Sequence, residues 1–363
     1  MRGIKVNLKE RSYNIIVGSN IIDLLGKSLI RLNLGSDAFI ITNSLIKNRY
    51  ANKLEGVLRK SGFKAKFRVV PDSEKSKSIT TATSVIKDLV QFDVKRRIFI
   101  VAFGGGVVGD LAGFIASIYK RGVSYIQVPT TLLAQVDSSI GGKTAVDLPQ
   151  GKNLIGAFYQ PRLVFSDVKF LSTLSPRQIR SGFAEVIKYG IIKDKELFSY
   201  LENNYSDLLS LKPAALEYGV TRSSQIKAQI TSRDEREEKG LRTILNFGHT
   251  IGHAIEAASG YDSYNHGEAI ALGMLAASNI SKSFNLINKN TYNRIESLIK
   301  EVGLPTAIRK IPLERIINAH YRDKKFIGSK NRFVLPVGIG RTKIVENIPL
   351  KTIEEAIRKI LFP

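Results

Sequence analysis

Three of the four histidines in this chain lie within 18 positions, at a spacing suited to metal binding. His249 and His253 are four residues apart, so they share one face if the segment is helical. His266 follows the loop GYDSYN and opens the next predicted helix. Imidazole nitrogens together with a carboxylate oxygen suit a borderline divalent ion such as Zn²⁺, and a catalytic site of this kind keeps one coordination position open. The segment therefore predicts a metal site; capping or surface histidines are the alternative interpretation.

A glutamate in an apolar segment is the candidate for the carboxylate ligand. Glu185 lies in GFAEVIKYG (182–190), with apolar residues on both sides. Burial of a carboxylate is costly unless the group is paired or bound to a metal. The alternative is an ordinary helix pair with Lys188, three residues further on, which contributes little. The sequence HTIGH lacks the glutamate of HExxH, so it does not indicate a metalloprotease.

A glycine-rich turn indicates a nucleotide site. GGGVVGD (104–110) directly follows the apolar run RRIFIVAF and precedes a predicted helix. Glycines allow the backbone to approach a pyrophosphate closely, and the helix N-terminus supplies amide donors. The turn is neither G-x-G-x-x-G nor a P-loop, so it predicts a Rossmann-like variant. A tight turn with packing glycines is the alternative.

A long polar run follows, PTTLLAQVDSSIGGKTAVDLPQGKNLIGAFYQP (129–161). It contains Asp137, Lys143, Lys152 and Asn153 among glycines and apolar residues. Polar, glycine-punctuated runs of this length are more often functional than structural. The lysines could hold a phosphate or a carboxylate as point charges.

The elements that position these residues divide the chain into two parts. Up to about residue 176, apolar runs such as 37–43, 64–70, 96–103 and 124–130 alternate with helical stretches. This alternation predicts an α/β, Rossmann-like domain over 1–176, with a parallel sheet covered by helices on both faces. Residues 177–363 read as an all-α domain in which only 333–340 and 343–347 are strand-like. A cleft between two such domains is the expected ligand site.

Composition limits the function classes. The chain has 363 residues and no cysteine, which excludes disulfides and thiolate chemistry. Its apolar runs are too short to cross a bilayer, and no signal-peptide pattern is present, so we expect a cytoplasmic protein. The net charge of +23 fits either a solvated lysine-rich surface or a field that concentrates anionic substrates. Without a nucleic-acid-binding motif or a basic tail, no nucleic-acid partner is expected.

Taken together, the motifs resemble the 3-dehydroquinate synthase family of sugar phosphate cyclases. The resemblance runs from about residue 40 to 340 and includes VAFGGGVVGDLAGFIAS, VPTTLLAQVDSSIGGKTAVD, GKNLIGAFYQP, GFAEVIKYG, LNFGHTIGHAIE and NHGEA. It implies conversion of 3-deoxy-D-arabino-heptulosonate 7-phosphate to 3-dehydroquinate and phosphate, in the shikimate route to aromatic amino acids. It also implies NAD, a divalent metal (Zn²⁺ or Co²⁺) and a homodimer. The expected steps are transient oxidation by NAD, phosphate elimination, re-reduction and intramolecular aldol closure.

The resemblance also implies roles for individual residues. The metal ligands are Glu185, His249 and His266, and the catalytic residues are His253, Lys188, Asp137 and Lys143. Substrate contacts fall on Arg121, Lys152, Asn153, Lys227, Arg242, Asn246 and one of the pair Lys324 and Lys325, with Arg121 donated across the dimer interface. NAD contacts fall on Thr42, Asn43, Asp72, Ser73, Glu74, Lys75, Ser76, Lys77, Gly106, Val107, Val108, Gly109, Asp110, Thr130, Thr131, Lys143, Lys152, Phe170, Leu171, Ser172 and Thr173.

Some points stay open at the level of sequence. The run DEREEKG before Arg242 is one residue longer than the family pattern, so a family glutamate corresponds to either Glu237 or Glu238. Three rival functions also remain: a glycerol-type NAD–metal dehydrogenase, a cyclase acting on a substrate without a carboxylate, and a nucleic-acid binder suggested only by charge.

Overall fold

A computed structural model describes residues 1–260, 263–321 and 331–362. The chain forms two compact units: Met1–Leu174 with Leu216–Arg236, and Ser175–Ala215 with Glu237–Pro363. The division after Leu174 lies close to the predicted domain boundary, but residues 216–236 group with the first unit. The assignment of 1–176 and 177–363 as separate domains therefore stays a prediction. Among the described residues, every helix is too short or too polar to span a membrane.

The first unit is built on a seven-stranded sheet in the order β1-β2-β9-β6-β5-β3-β4. Its strands are β1 (Arg2–Val6), β2 (Tyr13–Gly18), β3 (Asp37–Thr42), β4 (Lys64–Val69), β5 (Ile98–Gly104), β6 (Tyr125–Pro129) and β9 (Leu163–Asp167), and a separate hairpin contains β7 (Lys143–Leu148) and β8 (Gly151–Phe158). Its helices are α1 (Leu25–Leu32), α2 (Ser44–Lys60), α3 (Ile79–Phe92) and α4 (Gly106–Ile118). Only β1 pairs antiparallel within the large sheet.

Both faces of this sheet are covered, as the predicted fold class requires. Every residue of β5 is buried, which is typical of a central parallel strand. Successive side chains alternate between two hydrophobic clusters: Phe99, Val101 and Phe103 belong to one, Ile98, Ile100 and Ala102 to the other. Because side chains of a strand point alternately to opposite faces, helices must cover both sides. The Rossmann-like prediction is confirmed for this unit.

Several elements differ from the predictions. Strands β1 and β2 form an antiparallel pair at the N-terminus. Helix α1, strand β9 and the hairpin β7–β8 were not predicted. The hairpin lies inside the polar run 129–161, where glycines and lysines interrupt the alternation of apolar and polar residues typical of a strand. Most of β8 is exposed, so it has no regular apolar face. Strand β9 has only five residues, too few for its period to stand out.

The second unit is predominantly helical, with one hairpin. Its helices are α5 (Pro176–Lys193), α6 (Lys195–Leu209), α8 (His249–Ala258), α9 (His266–Ser283), α10 (Lys289–Glu301), α11 (Leu313–Tyr321) and α12 (Leu350–Arg358), and its hairpin is β10 (Arg332–Gly338) with β11 (Arg341–Glu346). Helix α7 (Pro213–Arg233) belongs to the first unit from Leu216 onward. The predicted all-helical character is confirmed, together with the two expected strand-like segments.

Glycines allow three helical segments of this unit to approach closely. A Cβ on Gly267 of α9 would collide with the carbonyl oxygen of Ser181 in α5. A Cβ on Gly273 would collide with the carbonyl oxygen of Gly248, which precedes α8, and would lie 2.7 Å from the amide nitrogen of Gly252. Backbone atoms cannot yield as side chains do, so only glycine fits at these contacts. The close approach determines where the histidines at the starts of α8 and α9 lie.

We expect Gly273→Ala to lower stability by about 1–3 kcal/mol, because the new methyl group must push α8 away from α9. Thermal unfolding followed by circular dichroism measures this. Gly56→Ala is the matched control: Gly56 lies inside α2, and a Cβ added there would meet no atom within 4 Å, so this change should leave the midpoint equal or higher. Equal midpoints for Gly273→Ala and the wild type would contradict the packing argument.

Candidate active site

Glu185 is the most buried acidic residue of the predicted site. It lies in α5, whose residues from Ser181 to Ile192 are all buried. Glu185 has 0% exposure and Lys188 has 1%. Their side chains form an ion pair one turn apart, so the pair expected as an alternative does exist, but in a fully buried position where surface-pair energetics do not apply.

Two histidines converge on the same carboxylate. The Nε2 atoms of His249 and His266 each lie 3.5 Å from Oε1 of Glu185. The three ligand atoms all lie within 4.8 Å of one another. Tetrahedral donors about 2.1 Å from Zn²⁺ are about 3.4 Å apart, so this spacing fits a bound divalent ion. One oxygen and two nitrogen donors also match the ligand preferences of Zn²⁺ and Co²⁺.

Local sequence explains the positions of these histidines. His249 begins α8 directly after Gly248, which has a left-handed backbone with φ of 79°. His266 begins α9 after Asn265, whose side chain accepts from the Glu268 amide in a capping box. Both imidazoles are therefore attached to the first residue of a defined helix, as the sequence predicted for His266.

The surroundings of His266 favour positive charge. Burial disfavours the imidazolium form, but hydrogen bonds and charge interactions with Glu185 and Glu256 outweigh it and raise the pKa of His266 to about 10. In the protein without a cation, a proton can thus occupy the position between the two carboxylates. A divalent cation would satisfy the same carboxylate charge.

His253 lies beside the group formed by Glu185, His249 and His266 but is not a member of it. Its ring centroid lies 5.3 Å from that of His249 and 6.2 Å from that of His266. It forms a second group with Glu256 and His266, whose possible ligand atoms also lie within 4.8 Å of one another. Glu256 was not among the predicted site residues, although its position seven residues after His249 places it on the same face of α8.

Arg242 and Asn246 belong to the same unit. They lie in a short 3₁₀ helix, Leu241–Asn246. Arg242 is 3% exposed, and its Nε lies 3.3 Å from Oε1 of Glu237. Between the two glutamates considered from sequence, Glu237 is therefore the one with an observed ion pair to Arg242. Lys324 and Lys325 lie outside the described residues.

The predicted NAD residues of the first unit gather at one edge of the large sheet. Thr42 ends β3, Gly104 ends β5, and Thr130 and Thr131 follow β6. These strands are parallel neighbours, so their carboxyl ends lie side by side, at the edge where such sheets bind ligands. Asn43 accepts a hydrogen bond from the Ile46 amide as the cap of α2.

The glycine turn is the first turn of α4. Gly105 is the residue before the helix, and α4 begins at Gly106. The Cβ of an alanine at Gly105 would lie 2.9 Å from a side-chain carbon of Thr131, so this turn passes close to the end of β6. The first amides of a helix have no partner within it, and those of Gly106, Val107 and Val108 lie in this position, so their role in binding an anion stays a prediction.

Lys77 links the remaining polar segments near this turn. Its ammonium lies 2.6 Å from Oδ2 of Asp110 and also donates to the side chain of Asn153. Asn153 has φ of 56°, and its amide donates to Asp147 over 2.7 Å. Lys152 lies 4.0 Å from Glu74, so both predicted segments, 72–77 and 152–153, meet beside Asp110.

The segment 170–173 follows β9 in a 3₁₀ helix, Val168–Thr173. The Phe170 ring packs against Tyr50 and Phe103 with centroids 4.8 and 5.4 Å apart. Leu171 is buried as well. These two side chains therefore belong to the hydrophobic core, and only backbone and hydroxyl groups of the segment are available to a nucleotide.

The buried Lys227 forms an ion pair with the half-buried Asp137. Nζ of Lys227 lies 2.6 Å from Oδ1 and 2.7 Å from the carbonyl oxygen of Asp137. Asp137 belongs to a π-helical turn, Ala134–Ser138, a conformation frequent at functional sites. Lys143 begins β7 and is exposed.

Arg121 is presented by a strained turn. It is exposed and has φ of 63°, and the preceding Lys120 has φ of 49°. Two consecutive non-glycine residues in the left-handed region cost roughly 1–2 kcal/mol each. Lys120 is held there by an ion pair with Asp93, which also accepts from the Tyr119 hydroxyl over 2.8 Å.

Comparisons with known proteins agree with the motifs. The family models described as 3-dehydroquinate synthase N-terminal and C-terminal match residues 67–181 and 182–326. The chain is 46% identical to the 3-dehydroquinate synthase of Caldanaerobacter subterraneus subsp. tengcongensis, covering 99% of this chain and 100% of that protein. It is 45% identical to that of Thermodesulfovibrio yellowstonii, with coverage of 95% and 96%.

Two solved cyclase structures are similar to this chain over almost its whole length. A 2-deoxy-scyllo-inosose synthase complexed with carbaglucose-6-phosphate, NAD⁺ and Co²⁺ has a TM-score of 0.90 and 28% identity, covering 99% of this chain and 100% of that one. A 2-epi-5-epi-valiolone synthase from Streptomyces hygroscopicus subsp. jinggangensis, with NAD⁺ and Zn²⁺ bound, has a TM-score of 0.88 and 27% identity, with coverage of 97% and 98%.

An iron-containing alcohol dehydrogenase from Thermotoga maritima, at 15% identity and a TM-score of 0.65 over 96% of this chain and 97% of that one, shares the fold alone. The resemblance inferred from the motifs is confirmed by the family models and the full-length relatives. On this evidence the chain belongs to the 3-dehydroquinate synthase family.

Proposed function

We propose that this protein is a 3-dehydroquinate synthase, a carbon–oxygen lyase that releases phosphate from 3-deoxy-D-arabino-heptulosonate 7-phosphate and closes the carbocycle of 3-dehydroquinate. The observation that carries the proposal is the convergence of Glu185, His249 and His266 from three helical segments. Full-length relatives of that name at 46% and 45% identity support the substrate. The pathway implies a cytoplasmic enzyme, and a net charge of +23 favours the approach of a substrate that carries both a carboxylate and a phosphate.

Each part of the chain has a role in this proposal. When bound, a divalent ion supplies a Lewis acid for adjacent substrate hydroxyls, and NAD supplies a reversible hydride acceptor. Glu185, His249 and His266 would hold the ion. The amides at the start of α4 would bind the pyrophosphate, with the threonines after β6 beside it.

The remaining polar residues would bind and orient the substrate. His253 borders the metal trio and is half-buried, a position suited to accepting and returning a proton. Arg242 would bind the substrate carboxylate, because its buried guanidinium is already oriented by Glu237. Lys227, oriented by Asp137, would contribute a second cation, while Lys143, Lys152 and Asn153 would bind the phosphate.

We also propose a homodimer in which Arg121 contacts the substrate of the partner subunit. Its support is the pair of left-handed residues 120–121 together with the exposure of the Arg121 side chain. Strain of this kind is retained where the surrounding structure and function require it.

The direct test is phosphate release from the heptulosonate phosphate. We expect release without net NADH formation, and loss of release after treatment with a chelator, restored by Zn²⁺ or Co²⁺. A matched sugar phosphate without the carboxylate should react poorly. Net NADH formation with glycerol or glycerol phosphate would favour the dehydrogenase alternative, and preferred turnover of the substrate without a carboxylate would favour another cyclase.

His249→Ala should lose metal and activity together, because one of the three donors is removed. Metal content by mass spectrometry and phosphate release are the two measurements. His253→Ala, on the same helix, is the matched comparison: we expect it to retain metal while activity falls about 10²–10⁴-fold. Normal metal content in His249→Ala would refute the ligand assignment.

Arg242→Ala should raise KM for the substrate about 10–100-fold, the loss expected for a hydrogen bond between charged groups. NAD binding, measured by fluorescence titration, should not change. Arg236→Ala removes an exposed arginine six residues earlier and should leave KM within about twofold of the wild type. An unchanged KM in Arg242→Ala would exclude the carboxylate role.

A further inference from the structure

Both imidazoles of the proposed metal site have a second nitrogen directed at an acceptor. Nδ1 of His249 lies 3.1 Å from the carbonyl oxygen of Phe247. A carbonyl oxygen can only accept, so this contact requires the proton on Nδ1 and leaves the lone pair on Nε2, which faces Glu185. The backbone turn before α8 thus selects the tautomer of His249 that can bind a metal.

For His266 the corresponding acceptor is a side chain. Its Nε2 lies 3.5 Å from Glu185, while Nδ1, on the other side of the ring, lies 3.5 Å from Oε2 of Glu256. The Glu256 side chain is only 13% exposed. An ionised carboxylate only accepts hydrogen bonds, so once an ion takes the lone pair of Nε2, Glu256 is the acceptor that holds the remaining proton on Nδ1.

We propose that Glu256 is a positioning residue for the metal centre, which holds the His266 ring in the orientation and tautomer that present Nε2 to the ion. This inference rests on the proposed metal ligands. The proposal gives α8 two functions. Its first residue, His249, is one ligand, and two turns later Glu256 supplies the carboxylate that orients His266. Such acceptors behind metal-bound histidines commonly change metal affinity about 10–100-fold when removed.

The group of His253, Glu256 and His266 could alternatively hold a second ion. That arrangement would require His266 to give Nε2 to one cation and Nδ1 to the other. Both ring protons would then be lost, and the imidazole would have to become an anion, far from its ordinary protonation states. A single ion with Glu256 as hydrogen-bond acceptor needs no such deprotonation, and the geometry favours it.

The first measurement is the affinity for Zn²⁺ and Co²⁺ by chelator competition. Glu256→Gln keeps an oxygen acceptor but loses the charge, so we expect affinity to fall by about tenfold or less. Glu256→Ala removes the acceptor, and the loss should reach about 10–100-fold. The matched control is Glu202→Gln, which breaks a half-buried ion pair with Arg294 in the same unit and should change affinity by less than about twofold. Circular dichroism checks that each variant is folded.

The second measurement is proton NMR of the Co²⁺-loaded protein. Each metal-bound imidazole with a protected Nδ1–H should give a hyperfine-shifted exchangeable signal, so the wild type should show two. In Glu256→Ala the His266 signal should disappear by exchange with solvent, whereas the His249 signal should persist because the Phe247 carbonyl still holds it. This readout does not depend on activity.

Two results would overturn the inference. One is wild-type affinity in Glu256→Ala together with both exchangeable signals. The other is binding of two ions per wild-type chain with loss of one in Glu256→Ala, which would make Glu256 a ligand. Retention of metal in His249→Ala would instead mean that the ligand set itself is wrong, so the two failures can be told apart.

Discussion

The structure of the second unit depends on one buried negative charge, the carboxylate of Glu185. A fully buried carboxylate is unfavourable unless cations or donors surround it, and here Lys188 and two imidazoles do so. Protons can supply part of the compensating charge, as the raised pKa of His266 indicates. A divalent ion would supply it more completely, since it can contact the carboxylate and both Nε2 atoms at once. Under the proposal of a bound ion, local stability would depend on occupancy of the site by a cation.

Close packing of the helices makes this arrangement possible. The donors come from α5 and from the first residues of α8 and α9, so their separation depends on the distances between backbones. Gly267 and Gly273 remove the side chains that would hold those backbones apart. Rigid helices then determine the positions of the ligand atoms more accurately than loops could. Contacts of the second ring nitrogen of each histidine, with the Phe247 carbonyl and with Glu256, further limit ring rotation.

In the first unit, packing likewise positions polar groups in advance, and here these groups are donors and cations suited to an anion. The glycine turn places helix amides at the carboxyl edge of a parallel sheet, where several strand ends meet. Ion pairs such as Lys77 with Asp110 and Lys227 with Asp137 keep cationic side chains ordered in buried positions. A substrate or nucleotide anion that binds there, as proposed, would meet groups that have already lost their side-chain freedom, which would lower the entropic cost of binding.

The fold class could be predicted from local patterns alone, because alternating apolar runs and helical stretches require a covered parallel sheet. It also indicated the family, since motifs such as GFAEVIKYG and LNFGHTIGHAIE carry unusual residue types at defined spacings. The hairpin β7–β8 and strand β9 were missed where polar or very short segments lack a clear period.

Contacts between residues that are distant in the sequence became visible only in the folded chain. The burial of the Glu185–Lys188 pair, the contact between Arg242 and Glu237, and the position of Glu256 behind His266 all join residues through packing. Residues 216–236 likewise group with the first unit through packing contacts and not through their place in the sequence. The physical reason is that local sequence specifies the period and ends of a helix, whereas the distance between two helices depends on the contacts that both make at once.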